Sequence, residues 1–210
     1  RMPGIDRCEQ RKATRAKLVE AALSLFSTSG YEHATVDDIS REAGYSKGAY
    51  YFHFSTKDDI LLELLRMWTE SRTAALGPDE GASRLTAEEL RETLAGFFSY
   101  VESPRWPAVL LEFWSQAVRN TEVSKRLTAS YALWRKRLTS AFAAAAADGL
   151  RVESAEESAA VVLAAHDGYA VQLAIGSPGG RAMTPQELVD SSVHPLETAA
   201  AAPARRAIAQ

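Results

Sequence analysis

Apolar residues recur three and four positions apart along most of this chain, and no stretch alternates apolar with polar or clusters Val, Ile and Thr as a strand would. That period predicts an all-α protein. Residues 11–29 put Val19, Ala22, Leu23 and Phe26 on one helical face, with Gly30 as a C-terminal cap. Leu90, Leu94, Phe97, Phe98 and Val101 form a second stripe, and Val123, Leu127, Tyr131, Trp134, Leu138 and Phe142 a third. "WPAVLLEFW", residues 106–114, is apolar nearly all round and is expected to be buried.

Helix starts are explicit. Thr35 precedes two carboxylates, Asp37 and Asp38, that favour the first turn of a helix. Ala43-Gly44 ends that helix after about two turns, and Ser46 caps another that closes near His53 or Phe54. "TAEE" at 86–89 and "SAEE" at 154–157 place a hydroxyl three residues before a glutamate, and "TPQE" at 184–187 adds proline at the first helical position. Two short helices across a glycine-bearing turn, backed by longer ones, make a helix-turn-helix pattern.

The composition shifts at "LGPDEGASR", residues 76–84. The expected organisation is a flexible basic arm over 1–10, a small helix-turn-helix domain over 11–57 with its motif at 35–54, and a connecting helix over 58–76. A linker at 77–85, a second helical domain over 86–198 and a disordered tail over 199–210 follow. The net charge of −3 hides an uneven distribution, because residues 1–17 carry six Arg or Lys against two acids. The single cysteine, Cys8, cannot form an intrachain disulfide, no apolar run approaches the roughly 18–20 residues of a membrane helix, and the N-terminal stretch lacks a signal-peptide core. A cytoplasmic protein with no membrane partner is expected.

Catalytic patterns are missing. The sequence has no H-E-x-x-H, G-x-S-x-G or C-x-x-C, and no phosphate loop following a strand. The glycine-rich "GSPGG" at 176–180 follows a helix and reads as a cap and turn. His166 and Asp167 are neighbours on a helix, about 100° apart, which argues against direct cooperation. No catalytic residue, metal site or cofactor is expected.

"AALSLF", "GYEHATVDDI", "AGYSKGAYYFHF" and "STKDDIL" follow one another in order between residues 11 and 66. This ordered set resembles the DNA-binding domain of TetR-type transcriptional regulators. The resemblance implies a three-helix DNA-binding domain, followed by a larger helical domain that dimerises and binds a ligand. It places DNA contacts at Thr35, Tyr45, Ser46, Lys47, Gly48, Tyr51, Phe52, His53 and Lys57, and leaves Tyr50 and Phe54 in the core. Tyr45 stands where the family commonly has a small aliphatic residue, and Phe52, lacking a hydroxyl, can touch only a sugar or a thymine methyl.

The helix beginning at 154 carries two apolar stripes. Val162, Ala165, His166, Tyr169 and Leu173 make one; Val161, Ala164, Gly168, Val171 and Ile175 make the other, whose small residues permit close helix approach. The second stripe is the expected homodimer interface. The family arrangement adds the last helix, represented by Leu188, although Pro195 is expected to end or kink that helix near His194. A small-molecule effector is expected among Phe97, Trp106, Phe113, Trp134, His166 and Tyr169. Glu112 shares its helical face with Arg105, Ser115 and Arg119 and reads as part of a solvated polar stripe.

The function expected is a ligand-responsive repressor, a homodimer on palindromic double-stranded operator DNA that a small molecule releases. The alternative is a helical small-molecule-binding or catalytic protein with a vestigial DNA-binding fold.

Overall fold

The computed structural model describes residues 7–77, 84–99, 105–176 and positions 187, 189 and 190. Among the described residues eight helices have both ends placed: α1 (Arg7–Ser29), α2 (Val36–Glu42), α3 (Lys47–His53), α4 (Lys57–Ala75), α5 (Ala87–Ser99), α6 (Trp106–Ala117), α7 (Thr121–Ala147) and α8 (Ala155–Ile175). Leu188, the "TPQE" start and Pro195 lie outside the described residues. The predicted caps form as hydrogen bonds. Thr35 and Asp38 exchange side-chain and backbone bonds at the start of α2, Thr86 and Glu89 do so at α5, and the Ser154 hydroxyl accepts from the Glu157 N–H at 3.2 Å. One boundary differs from expectation. Helix α1 begins at Arg7, inside the stretch expected to be a flexible arm, and Glu9 in its first turn complements the helix dipole.

The chain forms two compact units, and the first comprises residues 1–70, 103–128 and 173–176. Its core joins α1 through Leu18, Ala22 and Phe26 to Ile39, Tyr50, Ile60, Leu64 and Trp68, and to Val109, Phe113 and Val123. The linear division placed all of 86–198 in a second domain; in space, α6 and the start of α7 group with α1 to α4. The cause is on α6, whose Trp106, Val109, Leu110 and Phe113 are buried. Phe113 stacks 6.0 Å from Trp68, and the Glu112 carboxylate approaches Gly30, where an added Cβ would meet its oxygen at 3.0 Å. Arg105 pairs with Glu20, and Gln116 donates to Glu32 at 2.9 Å. Arg105, Ser115 and Arg119 are exposed, as a solvated polar stripe requires, and Glu112 is half-buried beside Gly30.

Of the described residues, the second unit comprises 71–77, 84–99, 129–172 and positions 187, 189 and 190. Leu90, Leu94, Phe97 and Phe98 of α5 are buried with Trp134, Leu138 and Phe142 of α7 and with Ala159, Val162, His166 and Ala170 of α8. Trp134 donates to the Thr73 hydroxyl at 3.0 Å, and the buried Arg72 guanidinium donates to the Phe97 carbonyl. Helix α8 corrects the reading that no apolar run reaches membrane length. It holds an 18-residue window of mean hydropathy 1.3, because alanine and valine fill both of its faces. Its Val162, His166 and Tyr169 are nonetheless buried in this unit.

Glu63 on α4 is buried and accepts from Arg66 at 2.7 and 2.9 Å and from Arg15 of α1. The Arg66 and Arg15 hydrogen bonds hold its carboxyl down at about 2, against an ordinary value of 4.5. A depressed carboxylate stabilises the fold above its unfolded value and ceases to do so as pH falls through its folded value. Glu63→Gln is therefore expected to be less stable than wild type at neutral pH in urea unfolding, with the gap closing between pH 4.5 and 2.

Candidate nucleic-acid interface

Helix α3 has seven residues, too few to hold together by its own hydrogen bonds. Its reverse face anchors it. Tyr50 is fully buried and donates to the Thr56 carbonyl at 2.9 Å, and its ring lies 5.7 Å from that of the buried Phe54. Burial raises the Tyr50 phenol well above its ordinary value, so this hydroxyl remains a donor.

The turn before α3 closes by chemistry that glycine permits. Gly44 has φ +75°, its N–H donates to the Arg41 carbonyl at 3.1 Å, and the Tyr45 N–H donates to Ser40 at 2.8 Å. Together these bonds satisfy two carbonyls at the end of α2. The Ser46 hydroxyl then accepts from the Ala49 N–H at 3.2 Å and opens α3.

With Tyr50 turned inward, the opposite face of α3 is outward. Ser46, Lys47 and Gly48 are exposed, as are Tyr51 (51%) and Phe52 (58%). A Cβ at Gly48 would meet only the Ser46 hydroxyl, at 3.7 Å, so the backbone there is open to close approach from outside. Lys47 reaches Asp37 of α2 at 3.1 Å, and that hydrogen bond raises its pKa. Tyr45 is half-buried, with the Lys17 ammonium 5.8 Å from its ring centre. His53 is half-buried too; burial lowers its pKa first, and the nearby Arg11 and Arg15 lower it further.

Two residues expected to touch phosphate have other work in this structure. The Thr35 hydroxyl and N–H both donate to the Asp38 carboxylate, at 2.6 and 3.2 Å. The Lys57 ammonium donates to the carbonyls of Tyr31 at 2.7 Å, Ala34 at 3.1 Å and Glu32 at 3.5 Å, and lies 4.1 Å from the centre of the Tyr31 ring. Three carbonyls use its three donors. Lys57 therefore ties the start of α4 to the turn before α2, a role invisible in the linear pattern because these partners lie 23 to 26 residues away. The sequence reading also missed the α1 cations that rest on this motif's rings: Arg11 lies 4.6 Å from Phe52 and Arg15 5.0 Å from Phe54. Their spacing of four was the available signal.

Residues 18–64 match the family model for bacterial regulatory proteins of the tetR family, and residues 63–196 match the C-terminal model of BetI-type transcriptional repressors. The chain belongs to the TetR family. The HTH-type transcriptional regulator YwcC of Bacillus subtilis is 31% identical over 132 residues, which is 60% of this chain and 59% of YwcC. The chain thus spans less than two thirds of that relative. A crystal structure of a transcriptional regulator from Rhodococcus sp. Rha1 superposes with TM-score 0.69 at 25% identity, over 88% of this chain and 96% of that one. A Saccharomonospora viridis regulator crystallised with choline superposes with TM-score 0.68 at 24% identity, over 91% and 95%. This TetR-family chain is accordingly a transcriptional regulator with a DNA-binding helix-turn-helix at its N-terminal end.

The six aromatic and histidine positions expected at an effector site are all buried. Trp106 and Phe113 are buried in the first unit, and Phe97, Trp134, His166 and Tyr169 in the second. There Phe97 lies 4.9 Å from the His166 ring and 6.0 Å from that of Trp134. Burial lowers the pKa of His166, opposed by Asp167. The expectation that His166 and Asp167 diverge needs correction, since Nδ1 and Oδ1 lie 3.2 Å apart while Tyr131 donates to the other carboxylate oxygen at 2.7 Å. Side-chain torsions bring the two groups together although their Cα–Cβ bonds point apart.

Lys57→Met is expected to lower unfolding stability by about 2 kcal/mol, since it removes charge-assisted bonds to the part-buried carbonyls of Tyr31 and Ala34. Lys47→Met should leave the urea midpoint unchanged, because its exposed pair with Asp37 contributes little.

Proposed function

We propose that this chain is a repressor that binds a palindromic operator as a homodimer in the cytoplasm and is released by a small-molecule effector. The observation that carries the DNA reading is the division of α3: Tyr50 is wholly buried while Ser46, Lys47, Gly48, Tyr51 and Phe52 on the same short helix are exposed. A second helix of a helix-turn-helix enters the major groove with its N-terminal residues at base edges. In this reading Ser46 and Lys47 approach bases or phosphates, Gly48 lets the backbone come close, and the Tyr51 hydroxyl and His53 meet phosphate oxygens. Phe52 makes an apolar contact with sugar or thymine methyl, and Tyr45 flanks the helix at the turn. Lys47 exchanges Asp37 for DNA. Thr35 and Lys57 act chiefly by holding the motif's shape, and Lys57 adds its charge to the field.

The dimer reading rests on α8. Val161 (62% exposed), Ala164, Gly168 and Ile175 (66%) form an outward apolar stripe with half-buried Val171, while Val162, His166 and Tyr169 are buried. A Cβ at Gly168 would meet nothing within 4 Å, so a second α8 can approach there. Two-fold symmetry then repeats the recognition helix and demands a palindrome. The effector reading rests on Phe97, Trp134, His166 and Tyr169 in the second unit, where aromatic faces beside Asp167 suit a small organic cation. Choline, the ligand of the Saccharomonospora viridis relative, is the first probe for a thermal-shift screen. No catalytic role is assigned to any residue.

Selection of bound fragments from random DNA is expected to return a palindrome bound with a steep salt dependence, whose log–log slope falls by about 1.8 in Lys47→Ala, about 0.9 for each protomer of the dimer. Failure of the folded wild-type protein to enrich any sequence would sink the repressor reading. Sedimentation equilibrium tests the dimer separately: Gly168→Asp is expected to give a folded monomer, and an unchanged dimer would remove the α8 interface.

A further inference from the structure

Arg7, Arg11 and Arg15 follow one another at intervals of four on α1 and so share a face. Arg15 is committed to Glu63. Among the described residues, Arg7 and Arg11 have no carboxylate partner. Between their face and the C-terminal end of α3 runs a groove of about 420 Å³, lined by Arg7, Gln10, Arg11 and Thr14 and by Tyr45 and His53. These groups offer two guanidiniums, an amide, the Tyr45 hydroxyl and an imidazole, and among the described residues the groove lining contains no acid. Donors without a competing acceptor charge suit an oxyanion.

We propose that this groove is a second DNA-backbone site, in which Arg7 and Arg11 of α1 and His53 of α3 hold one phosphodiester. The assignment rests on the DNA reading above and extends it to α1. Lys47 and His53 are six residues apart on one helix, about 9 Å along its axis, so the groove and Lys47 grip the backbone at opposite ends of α3. Phe52 is the positioning residue. Its ring lies 4.6 Å from the Arg11 guanidinium and 5.1 Å from the His53 ring, so it orients the planar cation and leaves N–H edges free for phosphate oxygens.

The arrangement also sets a proton balance. Arg7 and Arg11 line the groove with His53, Arg15 sits on the same face of α1, and Tyr45 lines the groove from the turn. Partial burial, with Arg11 and Arg15 nearby, holds the imidazole of the DNA-free protein below its ordinary value. A phosphate entering the groove favours the imidazolium. Operator binding therefore takes up a proton and strengthens as pH falls below 7.

The test is fluorescence anisotropy of the full chain on its selected duplex, across salt and pH. Arg11→Gln, which removes one contact from each protomer of the dimer, is expected to lower the salt slope by about 1.8 and weaken binding to all sequences alike. Arg135→Gln, the same charge change at an exposed position on α7, should leave the slope unaltered, and Arg11→Lys should restore most of it. His53→Gln should flatten the pH dependence of Kd. Equal slopes for Arg11→Gln and wild type, or a pH dependence that survives His53→Gln, would overturn the groove assignment while leaving the DNA reading intact. A wild-type protein that selects no DNA overturns both, and the wild-type arm alone reveals that case.

Discussion

A buried tyrosine holds the recognition motif together. Helix α3 is seven residues long, and a helix of that length is not stable alone in water. Tyr50 supplies what the backbone cannot: a fully buried ring, contact with Phe54, and a phenol that donates to the Thr56 carbonyl. Because a helix has only one such inward stripe, burying Tyr50 decides which residues point out. The outward row of Ser46, Lys47, Gly48, Tyr51 and Phe52 follows from that single choice of face.

Polar contacts then set how α3 is carried by its neighbours. Lys57 gathers three carbonyls from the turn between α1 and α2, and the Thr56 hydroxyl accepts from the Asp59 N–H to start α4 beside them. Asp58 next to it accepts from the Tyr31 phenol, and from Asn120 at 2.7 Å. Three consecutive residues, Lys57, Asp58 and Asp59, thus serve a loop, a tyrosine and a helix cap. The short helices are framed by side chains that are themselves ordered, which is what presenting a rigid face to DNA requires.

Local signals were legible wherever the partner lies within a turn or two of chain. Thr35 with Asp38, Ser46, Thr86 with Glu89, and Ser154 all act as their spacing predicts, because a cap closes over three residues. The two faces of α8 were readable for a similar reason: a period near 3.6 sorts Val162, His166 and Tyr169 from Val161, Gly168 and Ile175 without knowledge of the neighbours. The inward ammonium of Lys57, the grouping of α6 with α1, and the stacking of Arg11 on Phe52 could not be read in this way. Each joins positions tens of residues apart, and side-chain type alone does not distinguish a lysine meant for phosphate from one that ties a loop.

The sequence by itself determined the class of the protein, the starts of α2, α3, α5 and α8, and the buried and open faces of α3 and α8, because hydrophobic periodicity and capping are properties of neighbouring residues. Only the tertiary structure decided that α6 completes the core of the first unit, that the effector candidates divide between two cores, and that the α1 cations border the recognition helix. Those outcomes depend on which apolar surfaces find each other once the helices exist. Burial is non-directional, so a helix's apolar stripe states that it will be covered and leaves the covering element to the packing of the whole chain.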